Sequence, residues 1–296
     1  MTDIDPFNAN PEEAAALKRG RYLVPVPGQE GSGRKREYTR VTTFVKAIAD
    51  NYALERWKMR KLAEGIASDE TLYLLLAGIQ DFTSAEGKKR VDEVISIALE
   101  RAGANEGSRF GTALHAMNDL VDERHPHLSR VPTWLRPKYV NLARAYELHR
   151  LAVVPDFIER RVMNEKYQLV GTLDRLLLDE VSGDLVVGDL KTARDLWGYQ
   201  EISIQLALYA NADWMQDPVT QLWEPMPEVR RDVAVVMWMP RTHPSKDNDA
   251  VEIEEVRIER AYDFAAQVCA DARAWRNEGR NLGMPRPLPN PALPVL

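Results

Sequence analysis

The sequence predicts an α/β protein in which helices flank a mixed central sheet and an N-terminal helical extension precedes it. Between Tyr52 and Leu151, apolar residues recur at spacings of three and four, which is typical of amphipathic helices. After Pro155 the pattern changes to short apolar, β-branched runs divided by turn residues, which indicates strands. A later helical pattern and a strong strand from Asp232 to Met239 complete a sheet of about four to five strands.

The composition is that of an ordinary soluble protein. The chain has 296 residues, 45% hydrophobic and 28% charged, and is long enough to bury a core. Its net charge of −6 argues against a protein that coats nucleic acid, but it permits a local basic patch. No apolar run approaches the length of a membrane span and no signal segment opens the chain. We therefore expect a cytoplasmic protein.

Residues 1–106 are predicted to form an irregular arm followed by the helical extension. The arm contains a Gly-rich loop, residues 28–33, and then the basic run Arg34, Lys35 and Arg36. This run either follows a phosphate backbone or is a solvated surface segment, and the sequence favours neither. Helices of the extension are expected over residues 52–66, 70–80 and 86–102.

The next helix, over about residues 108–123, opens the predicted core domain, residues 107–280, and carries His115. Its apolar stripe consists of Phe110, Leu114, Met117 and Val121. His115 lies roughly 100° around the helix from Leu114. Because a lone histidine beside an apolar face is usually structural, the helical pattern alone does not make His115 a ligand.

Two strands, from Val170 to Leu176 and from Leu185 to Thr192, are predicted to form a β-hairpin. A two-residue turn at Ser182 and Gly183 makes the numbers of paired residues sum to 365. Asp174 then lies opposite Lys191 and diagonal to Asp189, on one face of the sheet. A slip of one residue would turn Asp174 to the other face, so this register is part of the hypothesis.

The end of the second strand combines an acid, a carbonyl and a base. Asp189 and Lys191 point to one face, and the Leu190 carbonyl lies between them. Two carboxylates and a carbonyl are hard oxygen ligands of the kind that Mg²⁺ and Mn²⁺ prefer. A lysine beside them can orient water or stabilise charge on a phosphate. Since residues 185–188 are apolar on both faces, the strand is predicted to be central, where charges must be paired or bind metal.

The rest of the sequence predicts a helix beside this sheet, an outer strand, a last helix and a tail. In the amphipathic helix from Tyr199 to Trp214, Gln205 precedes Tyr209 by four residues, so their side chains are neighbours. An outer strand and a last helix follow, and residues 281–296 form a Pro-rich tail that is predicted to be extended.

Four motifs in order carry a family resemblance. They are Gly111-Thr112-Ala113-Leu114-His115, Gly171-Thr172-Leu173-Asp174-Arg175, Asp189-Leu190-Lys191-Thr192 and Gln205-Leu206-Ala207-Leu208-Tyr209-Ala210. Over about residues 107–260 the chain resembles the PD-(D/E)XK nuclease superfamily, in particular the RecB-type nuclease domain and its relatives among phage exonucleases and CRISPR-associated adaptation nucleases. The resemblance implies a restriction-endonuclease-like fold and Mg²⁺ or Mn²⁺ as cofactor. The single cysteine, Cys269, leaves no ligand set for the iron–sulfur cluster of many CRISPR-associated relatives.

The resemblance also implies roles for individual residues. His115, Asp174, Asp189 and the Leu190 carbonyl would be metal ligands, and Lys191 would be catalytic together with the two aspartates. Gln205 and Tyr209 would lie beside the site. Glu159 is either a further carboxylate of the metal shell or a strand residue in a salt bridge with Arg160 and Arg161. Arg175 is a candidate DNA contact, as are Arg34, Lys35 and Arg36.

The function expected from the sequence is a metal-dependent DNA nuclease, and most specifically an exonuclease of phage or bacterial recombination or repair. DNA is then the expected partner, and recombination proteins are possible further partners. Two alternatives stay open: a DNA-binding or scaffold subunit that keeps the fold without catalysis, and an unrelated α/β protein whose charged residues form a structural ion-pair network.

Overall fold

The computed structural model describes residues 20–124, 131–193, 196, 198–240 and 249–281. These residues form a mixed sheet of nine strands with helices packed on both faces, which confirms the predicted fold class. The strands are β1 (Arg21–Pro25), β2 (Lys35–Arg40), β3 (Leu151–Asn164), β4 (Leu169–Asp179), β5 (Leu185–Lys191), β6 (Trp214–Gln216), β7 (Trp223–Pro225), β8 (Val233–Trp238) and β9 (Glu252–Arg257).

The helices occupy the N-terminal third of the chain and the connections of the sheet. They are α1 (Val41–Val45), α2 (Tyr52–Ala67), α3 (Glu70–Ala77), α4 (Ala85–Arg101), α5 (Glu106–Arg124), α6 (Arg136–His149), α7 (Tyr199–Ala210) and α8 (Ala266–Asn281). A π-helical turn, Ala261–Ala265, leads into α8. In the described part of the chain, no helix combines the length and the apolar character that crossing a membrane requires. Of the predicted C-terminal tail, only Asn281 belongs to the described residues.

The main sheet has the order β7-β6-β3-β4-β5-β8-β9. Strand β4 is antiparallel to both of its neighbours, β3 and β5, whereas β5 and β8 run parallel, so the sheet is mixed. The predicted number of four to five strands was too low. Strands β6 and β7 have three residues each, which is too few for an alternating pattern to be recognised, and β1 and β2 lie in a segment rich in turn residues.

The segment before the helical extension is part of the sheet. Strand β2 pairs with β1 and also runs parallel to the start of β4, where Thr39 pairs with Leu169 and Arg40 with Val170. Helix α1 follows at once, and its buried residues pack in the main core beside α7. The predicted division near residue 106 remains a prediction.

Strand β5 lies between two hydrophobic layers. Val187 belongs to the core beneath α1, α7 and α8, whereas Val186 and Leu190 belong to the core beneath α5 and α6. This alternation, together with the position of β5 between β4 and β8, confirms that the strand is central and buried on both faces. In α5, Leu114 is buried and Phe110 and Met117 pack against the same layer as predicted; the Val121 side chain is outside the described part.

The hairpin register differs from the prediction by two residues. Arg175 pairs with Gly188 and Leu178 with Leu185, so the partner numbers sum to 363. The loop is longer than the predicted two-residue turn because the Asp179 carboxylate accepts the N–H groups of Val181 and Ser182, and Gly183, at φ +82°, donates its N–H to the Asp179 carbonyl. Since side chains alternate with period two, this shift keeps Asp174 on the predicted face. It brings Asp174 level with Asp189 instead of Lys191.

Candidate active site

Side chains from three elements meet beside the central strands of the sheet. His115 on α5 approaches Asp174 on β4, with its Nδ1 atom 3.4 Å from Oδ2 of the carboxylate. Glu159 on β3 completes a group of three, since one ligand atom of each residue lies within 4.8 Å of the others. An imidazole nitrogen and two carboxylates at this spacing form a donor set suited to a divalent cation such as Mn²⁺ or Mg²⁺. The sequence predicted two of these residues as ligands and left Glu159 open.

A bulge in β3 places Glu159 beside Asp174. Val153 pairs with Leu177 and Ile158 with Arg175, so β3 contains three more residues than β4 over this stretch. Glu159 follows the bulge with φ at +47°, a left-handed conformation that non-glycine residues rarely adopt. Such conformations cluster at functional sites, where the surrounding structure holds them in place. The unusual backbone therefore favours a role for Glu159 at the site over a role as an ordinary strand residue.

Asp189 and Lys191 form the second half of the site. The Lys191 Nζ atom lies 2.6 Å from Oδ2 of Asp189, whose side chain is almost completely buried. Gln205 on α7 lies 3.4 Å from both the Asp189 Oδ1 atom and the hydroxyl oxygen of Tyr209, and donates its amide to both. The four side chains that the sequence singled out on β5 and α7 are thus connected to one another.

The backbone of Leu190 links the two halves. Its N–H donates to the Asp174 Oδ2 atom over 2.8 Å, and His115 forms a hydrogen bond with the Leu190 backbone. The Leu190 side chain points away into the core beneath α5 and α6, as the period of the strand predicted. The role of the Leu190 carbonyl as a metal ligand stays a prediction.

The electrostatics of the site favour the arrival of a cation. Burial raises the pKa of Asp174 well above its ordinary value, and the neighbouring carboxylates of Asp189 and Glu159 raise it further. Burial lowers the pKa of His115, and the positive charges of Lys191 and Arg175 add to this effect. The imidazole is therefore neutral near neutral pH, which is the form that binds metals. A divalent cation would relieve the repulsion among the carboxylates and stabilise their charged forms.

The two remaining titratable groups of the site respond to the same acids. Burial alone would lower the pKa of Lys191, but the ion pair with Asp189 and the nearby Asp174 outweigh burial and raise it. Lys191 is therefore a charged ammonium group at neutral pH. Burial, followed by the charges of Asp189 and Asp174, raises the pKa of Tyr209, so its hydroxyl stays protonated.

Two motif glycines permit the close packing that assembles the site. A Cβ atom at Gly111 would lie 2.8 Å from the Thr192 hydroxyl oxygen, so this glycine lets α5 approach the end of β5. A Cβ atom at Gly171 would lie 2.7 Å from the Tyr209 ring, so this glycine lets α7 approach β4. The glycines of the first two motifs thus leave the space that Thr192 of the third motif and Tyr209 of the fourth motif occupy.

The candidate DNA contacts lie in different surroundings. Arg175 is fully buried on the face of β4 opposite Asp174, which corrects the interpretation of Arg175 as a DNA contact. Its charge acts inside the protein, where it lowers the pKa of His115. Arg34, Lys35 and Arg36 are exposed, and Arg36 forms an ion pair with Glu165 at 3.4 Å.

One basic residue beside the site was missed at the level of the sequence. Arg40, the last residue of β2, lines a cavity next to Glu159 together with Arg160 and Arg161. From the sequence, Arg160 and Arg161 are predicted only as salt-bridge partners of Glu159. No local pattern marks Arg40, because the cavity is formed by strands that are far apart in the chain.

Comparison with known protein families supports one assignment. A sequence model of the PD-(D/E)XK nuclease superfamily matches residues 77–285, which is more than half of the 296 residues. The match includes all four motifs and the whole candidate site. A comparison with curated proteins found no match.

Proposed function

The chain belongs to the PD-(D/E)XK nuclease superfamily, and on this premise we propose that it is a metal-dependent DNA nuclease, specifically an exonuclease of phage or bacterial recombination or repair. Membership of the superfamily indicates phosphodiester hydrolysis. The observation that carries the proposal is that His115, Asp174 and Glu159 bring ligand atoms within 4.8 Å of one another, while Lys191 lies against Asp189 in the same site. A scaffold subunit has no need of a partly buried lysine and repelling carboxylates at one place.

The residues present fit a divalent metal. His115, Asp174 and Glu159 provide the donor set, and the raised pKa of Asp174 is the response expected of acids that lack a compensating charge. Asp189 and the Leu190 carbonyl are the further ligands that we propose. A bound divalent ion supplies Lewis-acid polarisation of the phosphate and lowers the pKa of water.

Lys191 is the residue that we assign to the chemical step. Its ammonium group is charged and held against Asp189, so it can orient the attacking water and stabilise negative charge on the phosphate. Gln205 positions Asp189 from the other side, and Tyr209 holds Gln205. These contacts fix the carboxylate that fixes Lys191, which is the arrangement that efficient catalysis requires.

The decisive experiment compares Lys191→Ala with Lys89→Ala, which removes an exposed lysine of α4. End-labelled linear single-stranded and double-stranded DNA and a closed DNA circle are incubated with Mg²⁺, Mn²⁺ or EDTA. We expect metal-dependent loss of linear DNA, sparing of the circle, and a fall of roughly 10²- to 10⁴-fold in the rate for Lys191→Ala alone. Circular dichroism and DNA binding should stay close to those of the wild type.

The outcomes separate the alternatives. Cleavage of the circle would support nuclease activity but contradict the assignment as an exonuclease. Normal cleavage by Lys191→Ala would contradict the proposed mechanism. Absence of cleavage by the wild-type protein with either metal, together with retained DNA binding, would replace the nuclease with a non-catalytic DNA-binding subunit.

A further inference from the structure

Helix α3 of the helical extension is apolar on its exposed side as well as on its buried side. Residues 71–80 contain no charged side chain. Leu72 is buried in the cluster that α3 shares with α2 and α4. Tyr73, Leu74 and Leu75 follow it at steps of 100° around the helix and are 62%, 59% and 55% exposed. Because a helix that is apolar on all sides is normally buried on all sides, the outer face of α3 has the character of a covered surface.

The three helices α2, α3 and α4 bury few apolar side chains among themselves. Leu72, Val94 and Ala98 are the buried members of their shared cluster. A unit of about fifty residues with so small a core gains little stability from its own packing. Contact of its exposed apolar side chains with another molecule would remove further apolar area from water and stabilise the unit.

The α3 patch consists of Tyr73, Leu74 and Leu75 together with Phe82 of the following loop, which is 52% exposed. A large side chain that is half exposed presents about 100 Å², so the patch presents about 400 Å². This is half of the roughly 800 Å² that each partner contributes to a standard interface between proteins.

The neighbouring helices of the unit add to this area. Leu54 and Met59 on α2 and Ile97 on α4 are 47%, 58% and 41% exposed. At the same value for each side chain they bring the exposed apolar area of the unit to about 700 Å². The unit therefore carries nearly the apolar area that one partner of a stable dimer contributes.

The chemistry of the α3 patch selects a second copy of the chain as its partner. A nucleic-acid strand is bound through cations, and residues 71–80 contain none. An uncharged apolar patch can face an identical patch without repulsion between like charges. Interfaces between identical subunits are also more apolar than those between transient partners.

The charges at the two ends of α3 fit an antiparallel pair of helices. Glu70 begins α3, and Lys88 lies in the first turn of α4, beyond the other end of α3. Both side chains are exposed, and neither forms an ion pair with another described residue. Glu86, an acid in the same turn as Lys88, is paired with Arg90. In an antiparallel pair, Glu70 of each copy comes to the end of α3 near which Lys88 of the other copy lies.

We propose that the α3 patch is the two-fold interface of a homodimer, in which the two α3 helices pack antiparallel and Leu74 lies near the axis. A two-fold interface uses the same patch on both subunits, which is what an uncharged patch with opposite charges at its ends allows. The proposal goes beyond the proposed nuclease function and does not depend on it, because the patch contains none of the residues of the candidate active site.

The test compares Leu74→Asp with Leu148→Asp. Leu148 is 79% exposed and lies on α6, outside the helical extension. Sedimentation velocity of the full chain in EDTA, without DNA, gives the mass and the dissociation constant over a roughly hundredfold range of concentration. We expect the wild type and Leu148→Asp to reach twice the mass of the chain. Leu74→Asp should weaken self-association roughly 100-fold, because each dimer would bury two like charges near its axis.

An exchange of charges tests the antiparallel arrangement without altering the apolar patch. Glu70→Lys alone should weaken self-association roughly threefold to tenfold, because it brings like charges together at both ends of the helix pair. Addition of Lys88→Glu to this variant should restore the dissociation constant of the wild type. A change confined to one chain would not be reversed in this way.

The outcomes decide the proposal independently of cleavage. A wild-type chain that stays monomeric at every concentration overturns it, as does undiminished association of Leu74→Asp or an equal loss for Leu148→Asp. Assembly beyond a dimer overturns the two-fold interface, because such a pair is closed. A double variant that associates no better than Glu70→Lys overturns the antiparallel arrangement. Circular dichroism of Leu74→Asp should match that of the wild type, since Leu74 is largely exposed in the single chain.

Discussion

Asp174 and Asp179 lie on the same strand in opposite electrostatic environments. Burial and the charges of Asp189 and Glu159 raise the pKa of Asp174, whereas the N–H of Val181, followed by further hydrogen bonds from Ser182, lowers the pKa of Asp179. The environment of Asp174 therefore disfavours the ionised carboxylate, whereas the environment of Asp179 stabilises it. The first belongs to the candidate site and the second to the hairpin loop, so function and stability are separated on one strand.

Asp174→Asn should therefore stabilise the metal-free protein at neutral pH. Because the pKa of Asp174 is raised in the folded protein, this carboxyl contributes stability at pH values below its pKa in the unfolded chain, which is near the ordinary 3.8. That contribution is lost as the pH rises through the pKa of the folded state. Removing the charge while keeping an oxygen that accepts the Leu190 N–H should raise Tm by roughly 2–4 °C in EDTA, the shift that about 1 kcal/mol produces. The gain should disappear towards acid pH. Calorimetric scans in EDTA at several pH values measure it.

Asp179→Asn is the matched control for this prediction. A lowered carboxyl pKa gives stability that is present above the unfolded value and lost as pH falls, so this variant should be less stable than the wild type at neutral pH. Mn²⁺ should raise the Tm of the wild type and of Asp179→Asn, but not that of Asp174→Asn. A loss of stability in Asp174→Asn in EDTA would contradict the environment described for that carboxyl.

At the level of elements, the site depends on how closely α5 approaches β5. His115 lies one turn after Gly111, and Gly111 is the point where the helix meets Thr192. The helix also contains Gly107, one turn earlier, where a Cβ atom would meet nothing within 4 Å. The same substitution at two positions of one helix therefore separates helix propensity from contact with the strand.

Gly111→Ala should impair cleavage and Gly107→Ala should not. Alanine favours the helix by up to about 1 kcal/mol at either position, so Gly107→Ala should be neutral or slightly stabilising. At Gly111 the contact with Thr192 should offset this gain by about 1–3 kcal/mol and push His115 away from Asp174. Denaturation curves and cleavage rates with Mn²⁺ measure both effects. Equal activity of the two variants would show that the Gly111 contact does not position His115.

At the level of the whole molecule, the helical N-terminal part divides between two cores. Helix α1 packs Val41, Phe44 and Val45 into the main core with α7 and α8. Helices α2, α3 and α4 instead surround a small cluster that contains Leu72, Val94 and Ala98. The first segment is therefore part of the sheet domain, whereas the second has apolar contacts largely of its own.

Phe44→Ala and Leu72→Ala should consequently destabilise different parts of the molecule. Phe44→Ala should lower the free energy of unfolding by about 3–5 kcal/mol and reduce hydrogen-exchange protection in β4 and β5. Leu72→Ala should reduce protection in α2, α3 and α4 and leave β4 and β5 protected. Hydrogen exchange followed by mass spectrometry resolves these segments. Loss of protection in β4 and β5 with Leu72→Ala would mean that the helices and the sheet unfold as one unit.

Particular residues show how far the sequence could predict this protein. The alternation along β5 correctly placed Asp189 on the face opposite Leu190. The resemblance carried by the four ordered motifs predicted that His115 lies near Asp174, and the two side chains are in contact. The hairpin register was wrong because the Asp179 side chain and Gly183 build a longer loop, which a turn-residue pattern does not distinguish from a two-residue turn. Arg175 was misplaced because its neighbour Asp174 faces the site, and adjacent strand residues point to opposite faces.

The four motifs, and the family resemblance that they carry, singled out the histidine, the two aspartates and the lysine of the candidate site. The sequence by itself also determined the classes of element and the central position of β5. These follow from local periodicity and from residue chemistry, which are present in any short stretch of chain. The tertiary structure decided the register of the hairpin, the bulge that brings in Glu159, and the cavity that Arg40 lines beside it. These depend on hydrogen bonds and contacts between residues far apart in the chain, and no local pattern records which distant partner a strand will find.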